Sequence, residues 1–184
     1  MDVKRITEKD LPLIVFSDTA DGIISSVIKV NTGSEWNHVM ILHKLGYCAS
    51  QGLTYCEVSI DKYLRKNNRL KFYKINGINW LQKKVMHDSI EKKLELPWYR
   101  RFYDFLGIIG QAIQVRSFNT PFLDYCSEDV PFHLRAIAPF FDNSLARAIV
   151  KNLPPHASPE QLNQYLKDNP SVFSLYGVWD SDIP

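Results

Sequence analysis

Cys126 stands in the run Tyr125-Cys126-Ser127-Glu128-Asp129-Val130, after the turn-like Asn119-Thr120-Pro121, at what reads as the mouth of a helix. A thiol at a helix start feels the partial positive charge of unpaired backbone N–H groups, which favours the nucleophilic thiolate. His38, in Trp36-Asn37-His38-Val39, supplies an imidazole that could take the thiol proton and pass it to a leaving group. Together they could attack a carbonyl and hold the acyl group as a thioester. Catalytic pairs are neighbours in space, so their separation in sequence is no obstacle. The oxyanion needs only the backbone N–H groups of the helix start. Tyr125 and Ser127 read as structural neighbours, and Glu128 as a first-turn acid that suits the helix dipole.

Two rival chemistries are weaker. His38, His43, Cys48 and Cys56 are zinc-compatible types within a short stretch. However, His38 and His43 are an odd number apart and face opposite sides of a regular strand, and neither CxxC nor HxxxH occurs. No metal or cofactor is therefore expected. His87 and His133 read as ordinary helix-face histidines, and His156 as solvated in a proline-rich loop. For nucleic acid, Lys62 to Lys74 mixes Arg65, Lys66, Arg69 and Lys71 with Tyr63, Phe72 and Tyr73. The same alternation describes a strand with one wet face, and that reading is preferred. Trp98-Tyr99-Arg100-Arg101-Phe102 could touch a lipid surface or cover a cleft.

The elements that must position Cys126 and His38 follow from periodicity. Leu11 to Phe16 is a short apolar strand, followed by a short helix around Ile23 to Ile28. Trp36 to His43 is a strand with His38, Met40 and Leu42 on one face and Asn37, Val39, Ile41 and His43 on the other. Lys44-Leu45-Gly46 is a tight turn, and Tyr47 to Ser50 returns antiparallel. Leu53 to Val58 continues the meander, Ser59 to Leu64 is one or two helical turns, and Arg69 to Ile75 is a half-buried strand.

Helices dominate thereafter: Asn79 to Leu94, stopped by Pro97; Phe102 to Val115; and the Cys126 helix, running to Pro139. Pro131 predicts a later start for that helix or a kink in it. A short helix over Leu145 to Leu153, a helix capped by Ser158 with Pro159 at its first position, and a strand over Ser171 to Val178 complete the chain. The 184 residues, with no repeat or linker, read as one α+β domain with a sheet-rich front and a helix-rich back.

Composition bounds the function. A hydrophobic fraction of 45% and a formal net charge of +2 suit a globular protein and give no strong nucleic-acid signal. Three unevenly spaced cysteines point to a reducing compartment rather than a disulfide framework. No signal sequence is visible, and no apolar run approaches the ~18 residues of a transmembrane segment.

The order and residues resemble a family: the NlpC-like, papain-fold cysteine peptidases and amidases, in the circularly permuted branch of YiiX-like proteins related to lecithin–retinol acyltransferase. The likeness rests on an opening strand and helix, Thr32-Gly33-Ser34-Glu35-Trp36-Asn37-His38-Val39, Tyr103-Asp104, and Tyr125-Cys126-Ser127-Glu128, with the histidine before the cysteine. Ser158-Pro159-Glu160-Gln161-Leu162 is similar to a helix start that often follows the core of such proteins. The resemblance implies a papain-like α+β domain, with a small antiparallel sheet against a helical bundle carrying the nucleophile. It further implies cleavage of amide or peptide bonds, cell-wall peptides among them, through an acyl-enzyme on Cys126 with His38 as base. Lipid or ester acyl transfer, or a host-interaction module without catalysis, are the alternatives. The expected location is the cytoplasm of a bacterial or virus-infected cell.

The family also carries a polar residue on the next strand to orient the imidazole, and the resemblance puts Cys48 of Tyr47-Cys48-Ala49 there. A thiol is a weak hydrogen-bond partner, so Ser50, Glu57 or Asn37 is the substitute expected to take that role.

Overall fold

The structure is a computed structural model that describes residues 1–19, 35–52, 54–101, 126–155 and 157–181, with the backbone alone at 126 and 127. The expected helices around Ile23 and over Phe102 to Val115, together with Tyr103, Asp104 and His156, lie outside the described residues.

Six strands form one antiparallel sheet: β1 (Leu13–Asp18), β2 (His38–Lys44), β3 (Tyr47–Gln51), β4 (Tyr55–Ser59), β5 (Arg69–Ile75) and β6 (Phe173–Asp180). Their spatial order is β4-β3-β2-β1-β5-β6. The alternation seen in sequence sets the pairing, with Ile41 opposite Ala49 and Leu42 opposite Cys48 across the β2–β3 hairpin. Gly46 turns that hairpin at a φ of +78°, a conformation that glycine adopts without steric cost.

Four helices are described: α1 (Trp80–Leu94), α2 (Cys126–Ile137), α3 (Ser144–Lys151) and α4 (Pro159–Asp168). Asn79 and Ser158 start α1 and α4 with reciprocal capping boxes to Gln82 and Gln161, which satisfy backbone donors at each helix start. Pro131 neither delays nor divides α2, which is continuous from Cys126. A proline deletes only its own backbone donor, and the buried side chains around it hold the helix together. The short helical turn after β4 is a 3-10 turn at Ile60–Lys62, capped by Ser59.

Both faces of the sheet are covered, which is why β1 is a continuous apolar run rather than an alternating one. One face carries Ile14, Phe16, Val39, Ile41 and Ala49 against Ile90 of α1 and Val130 and Leu134 of α2. The opposite face carries Leu13, Val15, Met40, Leu42, Cys48, Leu70 and Phe72, closed by Ile6, Leu11 and Ile60. The architecture is thus α+β, with the described helices on one side of a six-stranded sheet. No described helix is long and apolar enough to cross a membrane.

Candidate functional site

His38 is the first residue of β2, opposite Ser17 of β1. The residue before it locks the strand end. The Asn37 side-chain amide donates to the Thr19 carbonyl at 2.8 Å, its Oδ1 accepts from Thr19, and its backbone N–H donates to the Ser17 carbonyl at 3.1 Å. Asn37 is therefore engaged in shaping the backbone and not in orienting the imidazole.

Ser50 takes that place. Its Oγ lies 2.8 Å from His38 Nε2 and 3.3 Å from the Tyr63 hydroxyl, and the Tyr63 ring stacks on the imidazole with centroids 6.1 Å apart. Ser50 is 1% exposed, so solvent does not compete for the contact. A chain from His38 Nε2–H to Ser50 Oγ, and from the Ser50 hydroxyl to Tyr63, satisfies each group in turn. The same 2.8 Å contact also fits the reverse tautomer, with Ser50 donating to Nε2; with the ring proton on Nε2, Nδ1 keeps the lone pair, and it has no hydrogen bond to any described residue. Burial pushes the His38 pKa down to about 4, with the Asp129 charge opposing, so the ring is neutral at pH 7.

The other proposed orienters are elsewhere. Cys48 is opposite Leu42, fully buried in the second core cluster, and burial drives its thiol pKa upwards. It behaves as a small apolar side chain. Glu57 is 2.9 Å from Lys44 Nζ and 3.1 Å from His43 Nε2, away from His38.

Cys126 is the first described residue of α2, which carries Glu128 and Asp129 in its first described turn. Its side chain lies outside the described residues. Val130 and Leu134 hold the body of α2 on the Val39–Ile41 face. The His38 ring, in step with Met40 and Leu42 and stacked on Tyr63, turns to the other face. The structure therefore joins His38 to Ser50 and Tyr63 and sets the α2 body across the strand from them.

One turn into α2 lies a polar network that periodicity does not reveal. Asp129 Oδ1 is 2.8 Å from Lys93 Nζ and 3.2 Å from His133 Nε2. His133 Nε2 also meets the Tyr55 hydroxyl at 2.9 Å, and Nδ1 meets Ser89 Oγ at 2.8 Å. His133 is fully buried, which corrects its reading as an ordinary helix-face histidine. Burial works to raise the Asp129 pKa, but the charges and hydrogen bonds of His133 and Lys93 outweigh it and hold the carboxyl below its usual value. The i, i+4 spacing of Asp129 and His133 is the one sequence signal of this contact. A cavity of about 680 Å³, lined by Val85, Ser89, Lys93, Leu96, Phe132 and Ala136, borders this network rather than His38.

No protein-family model and no curated protein matches the chain.

The basic strand is engaged internally. Arg69 pairs with Asp18 and Glu35 at 2.9 Å, and Lys71 lies over the Trp36 and Tyr73 rings while donating to Asn163. His43, grouped in the sequence with His38, Cys48 and Cys56, comes together instead with His87 and Glu91.

Proposed function

We propose that the chain is a thiol hydrolase of the permuted papain-like type, with Cys126 as nucleophile, His38 as general base and Ser50 as the residue that positions the imidazole. The observation that carries this reading is the 2.8 Å contact from Ser50 Oγ to His38 Nε2, which supports a tautomer with Nδ1 ready to accept a proton. A neutral His38 favours proton transfer during attack over a standing thiolate–imidazolium pair.

In the first step the Cys126 thiol proton passes to His38 Nδ1, and the sulfur bonds to the substrate carbonyl carbon. Backbone N–H groups at the start of α2 hold the oxyanion. Collapse breaks the C–N bond, the imidazolium proton goes to the leaving amine, and an acyl-thioester remains. Water, deprotonated by His38, then releases the carboxylic acid and restores the thiol. Amide or peptide substrates, cell-wall peptides among them, come first, and acyl esters use the same steps.

A second reading is a non-catalytic interaction module. It is favoured by the position of the α2 body on the face opposite the His38 ring. Mass spectrometry of the intact protein after brief exposure to an activated acyl ester and a peptide amide separates the two. An acyl adduct on Cys126 that decays, and is absent in His38→Ala, supports the hydrolase. The absence of any adduct, with the fold intact, supports the module.

A further inference from the structure

A second cluster, separate from Cys126 and His38, has the composition of a metal site. His87 and Glu91 are four residues apart on α1 and so share one helix face. His43 comes from the end of β2, where the register with β3 shifts between Leu42 and Lys44. Such irregularities re-aim side chains. One ligand atom from each of His43, His87 and Glu91 lies within 4.8 Å of the others.

His43 is the observation that points to a ligand. Its side chain is 2% exposed, yet its Nδ1 has no hydrogen-bond partner among the described residues and its Nε2 meets the Glu57 carboxylate. Buried polar atoms almost always have a partner, and an imidazole nitrogen left without one is costly. Its Nε2 lies 3.1 Å from Glu57 Oε2, and the ring centroids of His43 and His87 are 5.7 Å apart. His87 Nε2 to Glu91 Oε1 is 3.7 Å.

The cluster also already attracts a cation. Lys44 Nζ sits 2.9 Å from both Glu57 Oε2 and Glu91 Oε1, at the tip of a half-exposed side chain that can swing outward. A cavity of about 280 Å³, lined by Glu8, Leu11, His43, Met86 and His87 among others, gives an entry path.

We propose that His43, His87 and Glu91 bind a divalent transition-metal ion of the zinc class, with Lys44 as the competing cation. Two imidazoles and a carboxylate suit Zn²⁺, Co²⁺ or Ni²⁺, and no thiolate takes part.

The test is a Co²⁺ titration of the untagged full chain after chelator dialysis, read by visible absorption, with Zn²⁺ as competitor. One Co²⁺ per chain is expected, with ligand-field bands of a nitrogen–oxygen site, no thiolate charge-transfer band, and displacement by Zn²⁺. His87→Ala and Glu91→Gln should each weaken binding at least about tenfold. Lys44→Met should tighten it, and Cys56→Ser should leave it unchanged. Replacing buried His43 risks unfolding, so the more exposed His87 and Glu91 carry the test, with circular dichroism checking their fold. No saturable binding, a thiolate band, or affinity unchanged in both His87→Ala and Glu91→Gln would overturn the proposal.

Discussion

Ser50 Oγ stands 2.8 Å from His38 Nε2, from the strand adjacent to the histidine strand and on the same face of the sheet. Cys48 shares that face, but the register puts it opposite Leu42, farther along β2 from His38. Removing the Ser50 hydroxyl deletes the contact that fixes the imidazole. Ser50→Ala is expected to slow acylation of Cys126 about tenfold or more while costing roughly 1 kcal/mol of stability. Cys48→Ala should do the reverse, lowering stability by about 1 kcal/mol through a small cavity and leaving acylation unchanged. Stopped-flow acylation and urea unfolding on the two variants check this. Equal kinetic effects would remove Ser50 from its positioning role.

His38 links stability to pH. Its pKa is 6.5 when unfolded and about 4 when folded, lowered by burial. Between those values the unfolded chain binds more protons, so stability falls as pH falls, and the His38 contribution is fully present only above about pH 6.5. The shift corresponds to at most about 3 kcal/mol. Urea midpoints measured at pH 7 and at pH 4.5 should differ more in the natural chain than in His38→Gln. The same difference in both would show that His38 is not the group responsible.

The Asp129–Lys93–His133 network predicts an asymmetric response. Asp129→Asn removes a buried carboxylate from beside Lys93 and His133 and should cost on the order of 3–5 kcal/mol. The double variant Asp129→Leu with Lys93→Met removes both charges and should recover part of that loss. Thermal unfolding of the single and double variants reads the difference. A double variant less stable than Asp129→Asn would mean that the network contributes beyond its ion pair.

Strands β2, β3 and β5 were legible in the sequence because alternation is a local property, and parity alone set His38 and His43 on opposite faces of β2. Asn79 and Ser158 were equally legible as helix starts, since capping uses residues only three apart. The orienting residue was legible only as a choice among Cys48, Ser50, Glu57 and Asn37, because Cys48 and Ser50 have the same parity and only the hairpin register decides which reaches His38. The later start suggested by Pro131 did not hold for a different reason: propensity argues against a proline within a helix, and the packing of Val130 and Leu134 overrides it. The His133 network and the His43–His87–Glu91 cluster depend on how α1 and α2 dock on the sheet. No spacing within one element encodes that.

Alkylation of the three cysteines as a function of pH tests the central claim most directly. Cys48 is silent on any account, because burial drives its pKa upwards, so the informative comparison is Cys126 against the half-buried Cys56. With a small iodoacetamide and peptide mapping, Cys126 should label faster than Cys56 near pH 7, because neutral His38 takes its proton during attack, and His38→Ala should abolish that advantage. Equal labelling of Cys126 and Cys56, or a Cys126 rate indifferent to His38→Ala, would contradict the assignment of a Cys126–His38 pair.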